Sequence, residues 1–346
     1  MTTTPPLVLQ INNEPRPFGP HTGFARAFTE LADAGLVRYM CVVPGAGDRL
    51  PVSRPDLVFV QSPQPCRWTQ RQVRRWLRVV GDPPVVVWEG DAWGGLTKPL
   101  RERNLAWMRC AEVVFTVAAG RQATMLRRAC RRPVRYVPNV VPLPLLSDSP
   151  DSEPPADGVA VIGRRRTYLG IELLPDDRER TELVEELRRI PAVRLAVYGK
   201  GWRGSFARGP VPFDEQLTAM KRSLITVGWN RYRHLTGCFS NRLPIAMCAG
   251  RVHVTSRQPG LTWLPGPDLG LHLMDTPRDA AGRIRDLLDS DPADLLAQAR
   301  QMTRWTRARL TDTEALQYML AKHLPLPAPP ADPWAHFAAM DADASS

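Results

Sequence analysis

Apolar residues in the first half of the chain come in short, near-continuous runs. Leu7–Asn12, Val37–Val43, Leu57–Val60, Val85–Trp88, Val113–Val117 and Val134–Pro138 each have the length of a strand covered on both faces. Between the first two, Phe24, Ala27, Phe28 and Leu31 recur at helical spacing and stop at Gly35. The alternation resumes further on, with strands at Val159–Ile162, Val193–Tyr198, Leu224–Asn230 and Arg251–Thr255 and helices around 179–190 and 214–223. Residues 277–288 and 292–320 carry helical periodicity. Strands alternating with helices predict an α/β protein built on doubly wound parallel sheets.

The pattern breaks at 142–157, a Pro/Ser/Asp-rich stretch that reads as a linker. The expected organisation is a domain over 1–145, a linker over 146–157, a second domain over 158–324 and a Pro/Ala-rich tail over 325–346. The tail's single apolar island is Trp334-Ala-His-Phe337. A length of 346 residues suits two domains of roughly 150 residues each. No internal repeat is visible.

Hydrophobic residues make up 43% of the chain, enough for packed cores. No apolar run approaches the roughly 20 residues that span a bilayer. Met1–Pro6 lacks the basic and apolar regions of a secretory signal, so a cytoplasmic location is expected. Six cysteines occur without a CxxC pair and six histidines are dispersed, so neither a metal site nor a disulfide framework is expected.

The formal net charge of +11 comes mostly from arginine and suits nucleic acid, an anionic membrane or phosphorylated small molecules. No helix-turn-helix, zinc-finger or RNA-binding pattern accompanies it, and nucleic acid is not an expected partner. In Arg67–Arg78, Val73, Trp76, Leu77 and Val80 share one helical face while Arg67, Arg71, Arg74, Arg75 and Arg78 lie mostly opposite. That basic face suits weak contact with an anionic membrane surface or a polyanionic acceptor, and equally plain solvation.

Candidate chemistry sits at strand ends. The segment Gly237–Gly250 follows an apolar strand and precedes Arg251–Thr255, a βαβ arrangement whose loop presents backbone N–H groups to phosphate. Its candidates are Ser240, Asn241 and Arg242. Gly19-Pro-His-Thr-Gly23 follows the first strand and opens a helix, with Gly19, Gly23 and His21 as candidates. Gly163-Arg-Arg-Arg166 closes the first strand of the second half, where Arg164 and Arg165 can grip a diphosphate. Gly199-Lys200-Gly201-Trp202 closes the next, with Gly199 and Lys200 as candidates. Trp88-Glu89-Gly90-Asp91 ends a first-half strand, and Glu89 or Asp91 can orient an acceptor hydroxyl or take its proton.

These motifs, in this order, resemble GT-B glycosyltransferases of the group 1, family 4-like type, especially the spore-maturation-protein-like branch. That branch carries Ser-x-Arg-x-x-Glu-x-x-x-x-Gly; Ser240, Arg242 and Gly250 match it, while Ile245 stands at the glutamate position. The resemblance implies two Rossmann-like domains facing each other across a cleft and a sugar transfer that is retaining and metal-independent. It implies a nucleotide-sugar donor as co-substrate, with no other cofactor, held by Gly163, Arg164, Gly199, Ser240, Asn241 and Arg242 and by the Gly19–Gly23 loop. Lys200 and Arg165 would serve the leaving diphosphate, and His21 and Asp91 the acceptor, which is a natural product, a glycan or a protein. Ile245 keeps open a catalytically silent partner of an active enzyme, and the charge a nucleic-acid-binding protein.

Overall fold

The computed structural model describes residues 4–12, 22–42, 54–61, 68–93, 99–146, 157–167, 169, 171–172, 174–191 and 193–343. They form two compact units, each described by itself. The first comprises 1–144, 235–238 and 311–346, the second 145–234 and 239–310.

The first unit runs β1 (Leu7–Asn12), α1 (Thr22–Asp33), β2 (Arg38–Val42), β3 (Leu57–Gln61), α2 (Gln70–Val79), β4 (Val85–Glu89), α3 (Glu102–Met108), β5 (Val113–Thr116), α4 (Arg121–Cys130) and β6 (Val134–Tyr136). Its six strands are parallel in the order β2-β1-β3-β4-β5-β6, which reverses direction between β1 and β3. The apolar runs are strands for the reason the pattern suggests. Val58, Val60, Val85, Val87 and Val114 are fully or almost fully buried, with helices covering both faces. Helix α2 opens with a capping box between Thr69 and Gln72 and buries Val73, Trp76 and Leu77 while its arginines face out, as its periodicity predicts. Arg67 lies outside the described residues.

The second unit runs β7 (Asp157–Ile162), α5 (Pro175–Arg188), β8 (Leu195–Tyr198), β9 (Ala207–Gly209), α6 (Gln216–Lys221), β10 (Ser223–Gly228), α7 (Arg242–Met247), β11 (Val252–Ser256), β12 (Leu271–Met274), α8 (Pro277–Leu288) and α9 (Pro292–Arg307). Its strands are also all parallel, in the order β12-β11-β10-β7-β8-β9. Counted from β7, that is the dinucleotide-binding order, with the reversal between β7 and β10. Both sheets are therefore Rossmann-like, as expected.

Two departures from the expected organisation concern the end of the chain. The stretch 292–320 is two helices, because Thr311 ends one run and caps α10 (Asp312–Leu320) with a capping box to Glu314. Helix α10 belongs to the first unit and contacts α1. The expected tail is not a tail: α11 (Ala331–Asp343) puts Trp334 at 1% and Phe337 at 0% exposure, against Tyr136 and Tyr318. Two buried aromatics supply the apolar area that holds this Pro/Ala-rich segment down. No helix among the described residues is long and apolar enough to cross a membrane.

Candidate functional site

Where a parallel sheet reverses its winding, the loops leaving the two adjacent strands diverge and open a crevice at their carboxyl ends. In the second unit those loops are the ones after β7 and β10, and both are rich in arginine.

The loop after β7 is locked to the loop after β8. Gly163 N–H donates to Tyr198 O at 2.9 Å, Arg165 N–H to Lys200 O at 2.9 Å, and Trp202 Nε1–H to Gly163 O at 2.6 Å. This approach requires glycine at 199: its φ is +145°, and a Cβ there would lie 2.3 Å from Gly163 O. Gly163, Arg164, Arg165, Gly199 and Lys200 are thus brought together, with Lys200 exposed. The glycines serve loop-to-loop packing. Arg165 is directed away from a free role, pairing with Glu172 at 2.8 Å and lying 5.9 Å from the Trp202 ring.

The loop after β10 is held by the start of α5. Arg180, 7% exposed, donates through Nε and Nη2 to Trp229 O at 3.1 and 2.7 Å and through Nη1 to Arg164 O at 3.1 Å. It also pairs with buried Asp177 at 3.3 Å. One guanidinium therefore ties together both loops of the switch point. Tyr232 sits in the left-handed region at φ +67°, its N–H donating to Asp176 Oδ2 at 2.7 Å. Such strain persists only where the surroundings over-determine it. Arg233 is satisfied by Glu179 at 2.8 Å and lies 5.4 Å from the Trp229 ring.

Among the described residues of these loops and of α7, Arg164, Arg166, Arg231 and Arg242 have no close counter-ion. Arg231 Nε lies 3.8 Å from Asp177 Oδ2, beyond hydrogen-bond reach, and its Nε and Nη2 are buried with no acceptor among the described residues. These groups feel one another. Burial, then Arg231 and Arg164, push Arg166 below the usual arginine range. Arg180 is pushed down to about 10 by burial, opposed by Asp177 and reinforced by Arg242 and Arg166. Arg242 is exposed to solvent, yet the surrounding protein and then Arg164 lower it as well. Like charges crowded this way are unfavourable until an anion joins them.

Beside them, Asn230, Ser240, Arg242, His253 and Thr255 line a cavity of about 20 Å³, the room one water needs. Asn230 Nδ2–H donates to Thr255 Oγ1 and Gln258 Oε1, both at 3.3 Å. Thr226 Oγ1 lies 3.2 Å from Val252 O and 2.8 Å from His253 Nδ1, so the hydroxyl joins the imidazole to the backbone of β11. Helix α7 has Asn241 at its N-cap position, with no side-chain cap, and the Ser240 carbonyl accepts from Leu243 N. Ile245 is fully buried. The cavity beside α7 is therefore lined by Asn230, Ser240, Thr255 and His253, with no carboxylate.

In the first unit, Gly19 and His21 lie outside the described residues. Gly23 opens α1 against Asp312, whose Oδ2 would sit 1.7 Å from a Cβ at that position. Asp312 is buried, accepts from Leu143 N at 3.0 Å and is raised well above the usual carboxylate range, chiefly by burial. Packing against this carboxyl is reason enough for glycine here. Asp91 is exposed after β4, where its N–H donates to buried Glu89 at 2.9 Å and its carbonyl accepts from Gln122 at 3.0 Å.

Arg166, Arg180 and Arg231 were not candidates from sequence. The signal was basic residues directly after Ile162 and Asn230; it lacked the knowledge that these two strands are neighbours.

Comparison with known proteins bears on this second unit first. Residues 178–321 match the family described as glycosyl transferase-like. No curated relative matches the chain. Among solved structures, the Anabaena protein HepE in complex with UDP is 13% identical with a TM-score of 0.56, over 91% of this chain and 98% of its own. Sucrose-phosphate synthase from Thermosynechococcus elongatus is 14% identical with a TM-score of 0.57, over 92% and 97%. The T4 phage BGT in complex with its UDP-glucose substrate is 10% identical with a TM-score of 0.56, over 92% and 100%. At these identities the likeness is one of fold.

Proposed function

From a chain whose residues 178–321 match the glycosyl transferase-like family and whose two Rossmann-like units share the GT-B fold, we propose an enzyme that transfers a sugar from a nucleotide-activated donor to an acceptor hydroxyl. The observation that carries this reading is the pair Arg164 and Arg242, held at the β7/β10 switch point without a counter-ion among the described residues. A nucleoside diphosphate brings two negative charges and a planar-fork-compatible set of oxygens, which guanidinium groups recognise bidentately. Uridine is the first base to test, because the solved HepE and T4 phage proteins hold UDP and UDP-glucose.

In this mechanism Arg164 and Arg242 grip the diphosphate, and Lys200 approaches from the neighbouring loop. As the glycosidic bond breaks, negative charge grows on the leaving phosphate, and fixed cations stabilise it without reorganisation. The arginines do the electrostatic work a divalent cation does elsewhere, so the transfer is read as metal-independent. It is also read as retaining: the departing phosphate accepts the acceptor's proton on the face it leaves, and no protein nucleophile is needed. Asp91, whose N–H is held by Glu89, is assigned to the acceptor hydroxyl, with His21 as the second candidate from the sequence. Buried Ile245 cannot accept from a ribose, and Asn230, Ser240, Thr255 and His253 are the polar groups available instead.

The test is a thermal-shift screen with UDP, GDP, dTDP, ADP and CMP and their sugars, followed by an assay for released diphosphate. A ligand at 100 times its Kd should stabilise by about 2.7 kcal/mol. Selective stabilisation by one diphosphate, lost in Lys200→Ala and Arg164→Ala, is expected. A flat response to every nucleotide ends the transferase reading. Binding with no turnover against any acceptor shifts it to the silent partner that Ile245 suggests.

A further inference from the structure

The arginine group holds more positive charge than a diphosphate neutralises. Arg180, Arg233 and Arg165 are each matched by Asp177, Glu179 and Glu172. That leaves Arg164, Arg166, Arg231 and Arg242, with one distant share of Asp177 through Arg231. Asp176, 3.8 Å from Arg233, offsets a further charge, and the diphosphate of a nucleotide sugar carries two negative charges, so about one guanidinium group stays uncompensated when the donor is in place. Burying unpaired cations is costly unless an anion arrives with the ligand.

The surplus has a location. Among the charges acting on Arg166 that of Arg231 is the largest, and Arg231 aims two buried N–H groups at no acceptor among the described residues. Arg231 is further oriented by the Tyr232 ring, 5.0 Å from its guanidinium carbon, on a residue held in the left-handed region by Asp176. Arg164 and Arg242 lie toward the glycine-paired loops and α7, where the donor diphosphate is assigned.

Resting on that assignment, we propose that the substrate carries a second anionic group, a carboxylate or phosphate beyond the donor diphosphate, seated on Arg166 and Arg231. The group belongs either to the transferred sugar, as in a uronic acid, or to an acidic acceptor; a guanidinium fork recognises both in the same way. The protein is then selective for acidic sugars over neutral ones, because a neutral substrate leaves the buried N–H groups of Arg231 unpaired. Such rejection is much stronger than what a missing apolar group produces.

Isothermal titration with UDP, UDP-glucose and UDP-glucuronate tests the donor arm. Titrating glucuronate, glucose 6-phosphate and glucose into UDP-saturated protein tests the acceptor arm. In one of the two arms the acidic ligand should bind about tenfold or more tighter than its neutral counterpart. Arg231→Ala and, independently, Arg166→Ala should abolish that advantage and leave the affinity for plain UDP within about twofold. Neither side chain donates a hydrogen bond to any of the described residues, so both variants should fold, which circular dichroism checks. Equal binding of acidic and neutral ligands in both arms overturns the proposal while leaving the nucleotide-sugar reading intact. Loss of plain UDP affinity in Arg231→Ala also overturns it, placing Arg231 in the diphosphate grip. No UDP binding by the wild type, followed by none for the other four nucleotides, overturns the underlying reading instead.

Discussion

Lowering the pH from 7.5 to 5.0 should weaken the second unit through His253. This ring is fully enclosed beside β10, with His272 nearby, and burial and then that neighbour push its pKa from 6.5 down to about 3. A histidine depressed in the folded state contributes stability that is present above the unfolded pKa and is lost as pH falls through the window from about 6.5 toward 3. At pH 5 the unfolded chain gains about 1.5 pH units of protonation free energy that the folded ring cannot match, or about 2 kcal/mol. The total for the wild type mixes this with His272, depressed to about 4, and with Asp312, whose raised pKa acts in the opposite direction. The clean measurement is a difference. His253→Asn keeps a hydrogen-bonding group beside Thr226 Oγ1 but does not titrate. Urea denaturation of both proteins at pH 7.5 and 5.0 should show the wild type losing about 2 kcal/mol more than the variant. The variant's lower absolute stability, from lost ring volume, cancels in that comparison. Losses equal to within about 0.5 kcal/mol would refute the placement of a neutral, buried imidazole at this position.

Two further outcomes follow from backbone and carboxyl geometry. Gly199→Ala forces a side chain into backbone at 2.3 Å with φ at +145°, and should cost about 2–4 kcal/mol in urea denaturation while lowering nucleotide affinity, since the loops carrying Arg164 and Lys200 part. Asp312→Asn keeps an acceptor for Leu143 N and removes a carboxyl whose folded pKa lies far above its ordinary 3.8. Because that raised pKa penalises the fold increasingly as pH rises, the variant should melt higher than the wild type at pH 8, with the gain gone at pH 3.5.

The periodicity of the chain determined much of its architecture by itself. Ten strands were readable because residues such as Val58, Val87, Val161 and Val227 alternate with nothing: buried on both faces, they form unbroken apolar runs. The strands at Ala207–Gly209 and Leu271–Met274 escaped notice, three and four residues long, as did α3, α4 and α11. Local pattern also located the loops that matter, since a basic or glycine-rich stretch after an apolar run marks a strand's carboxyl end. What it could not reveal was which strands are neighbours. Strand order rests on contacts between residues far apart in the chain, such as Ile225 with Val159, and these alone set Arg164–Arg166 beside Arg231–Arg233. Whether an arginine is paired is a tertiary fact too. Arg165 lost its expected role to Glu172, and Arg180, unremarkable in sequence, became the tie between two loops. Trp334 and Phe337 teach the same lesson at the chain's end, where a composition that reads as a tail is overruled by two aromatic rings with a place to be buried.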